Sequence, residues 1–184
     1  FNADRDAVLA RARAQGVAHM LVPAVNRQGW RFLLEYCRAN QGLYPALGLH
    51  PVYLDQHQDQ DITDLAEWVE KEKPVAIGEI GLDYFITTLD RTRQQQLFEA
   101  QLCVARDAGL PVVLHVRKSH DQVLQTLKRI KVRGGFSHAF NGSEQQAKQY
   151  AELGFKLGFG GKLTYERSNR LRKKKKNIPL ENIV

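Results

Sequence analysis

The sequence predicts a parallel α/β fold built from repeated β/α units, of the kind that closes into a (β/α)8 TIM barrel. Three observations predict it. Six short apolar runs are continuous instead of alternating, which is the pattern of strands covered on both faces. Each is followed by a segment with helix-type composition and helix-type ends. The runs recur every roughly 20 to 36 residues, the length of one β/α unit.

In chain order the runs are HMLVPAV (19–25), YPALGLHP (44–51), VAIGEIGLD (75–83), PVVLHVR (111–117), GGFSHAF (134–140) and FKLGFGG (155–161). The helical segments are ADRDAVLARARAQG, QGWRFLLEYCRANQG, DITDLAEWVEKE, LDRTRQQQLFEAQLCVARDAG, SHDQVLQTLKRI and SEQQAKQYAELG. Several open on Asp or Ser, whose side-chain oxygen can accept from the free N–H groups of a first turn, and close on Gly, which tolerates the left-handed conformation that ends a helix. Residues 1–184 are expected to form a single domain, because no linker, low-complexity segment or change of composition interrupts the series. A closed barrel takes about 250 residues, against 184 here. The sequence opens on a helix, and NIV at its end could begin a further strand. The expectation is therefore a barrel lacking its first strand and most of its eighth, either truncated or part of a longer protein.

Composition excludes several classes. Hydrophobic residues make up 43% of the chain and Pro only 6 positions, enough for one core and unlike a disordered chain. No stretch approaches the ~18 apolar residues of a membrane span, and FNADRDAV carries no export signal. Cys37 and Cys103 lie far apart in helical segments without CxxC spacing, which argues against a disulfide framework and for a reducing cytoplasm. No membrane association or obligate protein partner is expected. The net charge of +7 owes six cations to RLRKKKK at 170–176, without which the chain is near neutral. That run reads either as a solvated face or as a contact for phosphate backbone.

Three possible metal ligands fall at the tails of apolar runs: Glu79 in AIGEIGLD, His115 in PVVLHVR and His138 in FSHAF. In a repeating β/α fold they would converge on one rim. A carboxylate after the buried run VAI is costly unless it is paired or holds a cation; the alternative for Glu79 is a salt bridge to a neighbouring loop. Asp83 offers a second carboxylate at the same strand mouth, with the same alternative. Arg117 lies two residues beyond His115 and so on the same side of the strand, where a guanidinium can hold a phosphate oxygen pair. Ser119 is placed to cap the next helix. His50, exposed by the strand-stopping Pro51, is a fourth candidate, for substrate or for metal. Asn141, Gly142 and Ser143 make a turn whose N–H groups could receive an anion. His19, His57 and His120 read as ordinary solvated residues. No GxSxG elbow, GxxxxGK[ST] loop or dinucleotide GxGxxG is present, so serine hydrolase, nucleotide triphosphatase and NAD-dependent chemistry are excluded, and GFGG at 158–161 is a weak phosphate-loop signal.

Taken together, AIGEIGLDY, PVVLHVRKSHD, GLHP, FSHAFNGS and GFGGKLTY resemble the TatD family of metal-dependent deoxyribonucleases, and within it the YjjV-like branch. The resemblance implies a (β/α)8 barrel of the metal-dependent hydrolase superfamily, hydrolysis of phosphodiester bonds in a DNA substrate, and one or two divalent metal ions such as Mg, Mn or Zn. It implies that Glu79 bridges two metal positions, that His115 and His138 serve one of them, and that Arg117 meets the scissile phosphate; His50 and Asp83, from their own places at strand mouths, are expected to face substrate. The family's HxH pair would precede Phe1, and its ETDAP segment, with the expected general base, would follow Val184. The alternatives are a metal-dependent hydrolase of another ester or amide, such as an aminoacyl-tRNA deacylase, or a catalytically inactive paralogue.

Overall fold

The computed structural model describes residues 3–166, 168 and 178–184. Six strands form one parallel sheet in sequence order: β1 (Met20–Pro23), β2 (Leu43–Leu47), β3 (Ala76–Asp83), β4 (Val112–Arg117), β5 (Gly135–Ser137) and β6 (Phe155–Leu157). Helix α1 (Arg5–Ala14) precedes β1, and α2 (Trp30–Ala39), α3 (Gln60–Glu72), α4 (Arg91–Asp107), α5 (His120–Arg129) and α6 (Glu144–Glu152) each connect one strand to the next. A parallel bridge from Leu157 to Ile183 continues the sheet beyond β6, so the terminal NIV does start to pair as a strand. The unbroken order β1 to β6 is that of a barrel wall, in which every crossover carries a helix on the outer side. Among the described residues, no helix is long and apolar enough to cross a membrane. The basic run at 170–176 lies outside the described residues.

The two faces of the sheet divide the core. Trp30, Leu34, Leu65, Phe98, Leu102, Val123, Leu127 and Tyr150 of the helices pack on strand residues Leu47, Ile77, Ile80, Leu82, Leu114, Val116 and Leu157. The opposite face is lined near the strand starts by Ala46, Ala76 and Val113, with Leu21 and Phe136 against them. On β4 the alternation is strict, so His115 and Arg117 share the inner face with Val113 while Leu114 and Val116 face the helices.

On β3 alternation alone would fail. Counting by twos from Ile77 would send Glu79 to the helix side. The pairing of β3 with β4 shifts between Ile77, opposite Val112, and Ile80, opposite Leu114, so three residues of β3 span two of β4. This bulge returns Ile80 and Leu82 to the helix-side core and turns Glu79 inward, re-aiming one side chain as bulges do.

Cap chemistry is mixed. Asp90 accepts from the Arg93 N–H at 3.0 Å and starts α4 as expected. Ser119 does not cap α5; its hydroxyl donates to the Leu82 carbonyl at 2.8 Å, tying the start of α5 to the tail of β3. Cys37 and Cys103 are free thiols.

Gly81 pairs directly with His115 at a φ of +140°, and a Cβ there would lie 2.1 Å from the His115 carbonyl oxygen. Gly109, after α4, has a φ of +66° and open space around it. Gly81→Ala is therefore expected to lose more than about 3 kcal/mol in urea denaturation, because backbone must move, whereas Gly109→Ala costs about 1 kcal/mol of conformational strain. Equal losses would contradict the close strand approach at Gly81.

Candidate functional site

The inward side chains at the C-terminal strand ends meet at His115. Its Nε2 lies 2.9 Å from Asp83 Oδ2 and its Nδ1 lies 3.2 Å from Glu79 Oε1, so the imidazole stands between two carboxylates on the neighbouring strand. Asp83 is fully buried, and its other oxygen accepts from the Phe85 and Ile86 N–H groups at 3.0 and 3.2 Å. With both oxygens engaged behind the imidazole, Asp83 orients His115 and does not face a substrate, contrary to the role expected from sequence.

His50 arrives from the tail of β2. Its ring centroid is 4.4 Å from that of His115, and its Nε2 is 3.7 Å from Glu79 Oε1. Pro51 opens a 3₁₀ segment, Pro51–Gln56, and the Val52 N–H donates to His50 Nδ1 at 3.1 Å. Burial, reinforced by the charge of His115, pushes the His50 pKa down to about 4, so the ring is neutral at neutral pH. A neutral imidazole has one N–H. With Nδ1 accepting, the proton sits on Nε2 and points toward Glu79, and the contact is dipolar rather than an ion pair.

Glu79 and His115 respond to each other in the opposite sense. Burial pushes the Glu79 carboxyl up, but the His115 hydrogen bond and the positive fields of His50, His115 and His138 outweigh it and hold the carboxyl below its usual value. Burial pushes His115 down, and the two carboxylates outweigh it and raise its pKa.

The donor atoms of His50, Glu79 and His115 lie within 4.8 Å of one another. A cation bound at about 2.1 Å holds tetrahedral ligands roughly 3.4 Å apart, close to the 3.2 Å between Glu79 Oε1 and His115 Nδ1. The Asp83 contact fixes the other nitrogen of His115 as donor, the carboxylate–histidine arrangement that presents the second nitrogen to a metal. The residues thus fit a divalent cation, held by Glu79 and His115 Nδ1, with His50 offering a proton beside it. His138, expected as a further ligand, is not among the three clustered residues. It directly follows β5, its N–H bonds to the Leu114 carbonyl at 2.9 Å, its side chain is exposed, and it is near enough to lower the Glu79 pKa.

Arg117 lies opposite Asp83 on the same face, and its guanidinium stacks 3.7 Å from the centroid of the Phe85 ring. In the turn expected to receive an anion, the Ser143 N–H is taken by Gln146 Oε1 at 2.8 Å, and the Gln146 N–H in return bonds Ser143 Oγ at 3.2 Å, a capping box.

Two histidines read as solvated are buried. His57 Nε2 lies 2.9 Å from the His50 carbonyl and steadies that turn. His120 bridges Tyr150 Oη at 3.2 Å and Asn141 Oδ1 at 3.1 Å, linking α5, α6 and the loop after β5. Gln94 and Gln101 are residues that sequence reasoning missed. Seven positions apart on α4 and both 1% exposed, they form paired bonds to strand-end backbone. Gln101 meets the Leu49 N–H at 2.7 Å and carbonyl at 3.1 Å, and Gln94 meets those of Asp83 at 2.8 and 3.1 Å. The available signal was two glutamines at heptad spacing on the apolar face of a helix, where only a buried partner makes an amide tolerable.

Imidazole ¹⁵N NMR of the metal-free protein tests this electrostatic arrangement. At pH 6, His50 is expected to be neutral with its proton on Nε2, and His115 to be an imidazolium. A charged His50, or an Nδ1–H tautomer, would contradict the geometry.

Comparison with known proteins agrees with these features. The family model described as TatD related DNase matches residues 1–184. The chain is 40% identical over 187 residues to the uncharacterized metal-dependent hydrolase YjjV of Escherichia coli K12, covering all of this chain and 72% of that protein. It is 33% identical over 169 residues to the 3'-5' ssDNA/RNA exonuclease TatD of Cronobacter sakazakii, covering 91% of this chain and 64% of that one. The crystal structure of the Escherichia coli YjjV protein superposes with a TM-score of 0.95 at 39% identity, over all of this chain and 72% of the other. A TatD family hydrolase from Entamoeba histolytica gives a TM-score of 0.84 at 28% identity, over 98% and 63%. The strand order and the curled wall are thus those of a segment of a TIM barrel, and the chain belongs to the TatD family.

Proposed function

We propose that this chain forms part of the catalytic domain of a divalent-metal-dependent hydrolase that cleaves phosphodiester bonds of DNA. The observation that carries the reading is the line Asp83–His115–Glu79, in which a buried carboxylate holds one nitrogen of an imidazole so that the other faces a second carboxylate. Such a line has little structural purpose at a strand mouth but is the ordinary support of a metal ligand. One or two cations are the expected complement, with Mg, Mn and Zn all compatible with nitrogen and oxygen donors.

Bound there, a divalent cation supplies Lewis acidity toward a phosphate oxygen and lowers the pKa of a water. The chain's own residues do the rest. Glu79 and His115 hold the ion, and Asp83 keeps His115 in the tautomer that binds it. His50 directs its Nε2–H into the same space, where a phosphate oxygen can accept it. Arg117 stacks its flat face on Phe85 and leaves its N–H edges for a phosphate, whose developing charge it neutralises. The name of the Cronobacter sakazakii relative, an exonuclease on single-stranded DNA and RNA, supports the choice of phosphodiester over other bonds. That of the Escherichia coli relative specifies only a metal-dependent hydrolase, so ester and aminoacyl-tRNA substrates belong in the same assay panel.

Oligonucleotide cleavage with Mg²⁺ or Mn²⁺ is the test. Asp83→Asn is expected to lower the rate about 10- to 100-fold, the usual effect of losing a partner of a metal ligand, and Glu79→Ala to lower it by more than that. Undiminished cleavage by Glu79→Ala would remove Glu79 from the mechanism, and turnover of an ester with no action on any oligonucleotide would replace the substrate class.

A further inference from the structure

Three consecutive side chains at the start of α5 reach away from their own helix. Ser119 donates to the Leu82 carbonyl, His120 Nε2 lies 3.1 Å from Asn141 Oδ1, and Asp121 Oδ1 accepts from Gln146 Nε2 at 2.7 Å. Their partners lie on the tail of β3, in the loop between β5 and α6, and in the first turn of α6. His120 is 8% exposed and has a partner at each ring nitrogen, Tyr150 Oη standing 3.2 Å from Nδ1. The amide oxygen of Asn141 can only accept, so in the neutral ring the proton sits on Nε2 and Nδ1 receives the Tyr150 hydroxyl. An apolar side chain would fill the same volume; an imidazole with both nitrogens engaged also fixes a direction.

The loop that His120 grips carries His138. Leu114 lies opposite Ser137 in the sheet and the His138 N–H bonds the Leu114 carbonyl at 2.9 Å, so His138 stands level with His115 one strand over. The next residue, Ala139, has a φ of +48°, the left-handed region in which a side chain with a Cβ is strained. Such a conformation persists only where its surroundings hold it. Here the holds follow directly: the Phe140 N–H bonds the Gly158 carbonyl at 2.8 Å, the buried Phe140 ring packs edge-on to His120 at 5.1 Å between centroids, and Asn141 is tied to His120 Nε2.

We propose that His120 is a positioning residue that keeps Ala139 in its left-handed turn and thereby sets where the His138 imidazole stands beside the Glu79–His115 pair. The proposal rests on the metal-dependent hydrolase reading above and adds to it a group that touches neither metal nor substrate. Released from His120, the loop relaxes at Ala139 to right-handed or extended backbone and His138 turns with it, whereas the Glu79–His115 pair, built on β3 and β4, stays in place. Glycine at position 139 adopts the left-handed turn without strain, so it makes the loop independent of the tether.

The test is calorimetric titration of the whole metal-free protein with Mn²⁺, alongside amide hydrogen exchange. His120→Ala should weaken Mn²⁺ binding about 10-fold, the low end for residues that support a metal ligand. It should also speed exchange at the His138 and Phe140 N–H groups while the β3 and β4 amides keep their protection. Asn141→Ala, which removes the exposed end of the tether and leaves the core intact, should do the same. His120→Gln, whose amide N–H can reach the same oxygen, should stay within about threefold. Two backgrounds separate positioning from packing. In Ala139→Gly most of the His120→Ala loss should disappear, and in His138→Ala the added His120→Ala should change affinity by less than about twofold, because its effect passes through His138. Unchanged affinity in His120→Ala, or a full loss in either background, makes His120 core packing alone and overturns the proposal while the hydrolase reading stands. If the unaltered protein takes up no Mn²⁺, the hydrolase reading fails and exchange decides the tether. Faster loop amides in His120→Ala, repaired by Ala139→Gly, then uphold it, and unchanged amides overturn it.

Discussion

The imidazole of His115 between Asp83 and Glu79 is the constraint on which the site depends. One carboxylate, fully buried and braced by two backbone N–H groups, holds one ring nitrogen as a donor. The other, reached only because a bulge turns β3 over, faces the nitrogen that is left. Both carboxylates gain from the ring between them, since an isolated buried charge costs far more than a paired one. His50 completes the arrangement as a neutral donor, and its place is set by three contacts to backbone: Val52 to its ring, His57 to its carbonyl, and Gln101 to the residue before it.

Helix α4 gives this arrangement its rigidity. Gln101 and Gln94 grip the ends of β2 and β3 at two heights, so one helix sets the relative level of the strands that deliver His50, Glu79 and Asp83. Apolar packing alone slides easily along a strand, whereas an amide paired with both backbone groups of a single residue fixes the register. The loop that carries Phe85 begins at the residue Gln94 holds.

Much of this was legible in the sequence, and what was not has physical causes. Strand and helix order followed from continuous apolar runs and their spacing, and Glu79, His115 and Arg117 followed from their positions at strand tails. The inward turn of Glu79 does not follow from period-two counting, because the bulge that produces it depends on pairing with β4. Ser119 looked like a cap from its neighbours alone, but a carbonyl 37 residues away in sequence claims its hydroxyl. His57 and His120 looked solvated because local polarity says nothing of what packs over a loop, and both are covered by partners distant or sequestered in the fold. Asp83 was visible as a carboxylate at the right place, yet its role behind His115 needed the third dimension.

Calorimetric titration of the metal-free protein with Mn²⁺ tests the central claim most directly. Glu79→Ala and His115→Ala should each weaken binding at least about 100-fold, beyond the effect of losing a supporting partner, while His50→Ala, which removes a proton donor and not a ligand, should change it by less than about fivefold. Unchanged affinity in Glu79→Ala or His115→Ala, or a collapse in His50→Ala as deep as theirs, would contradict the account.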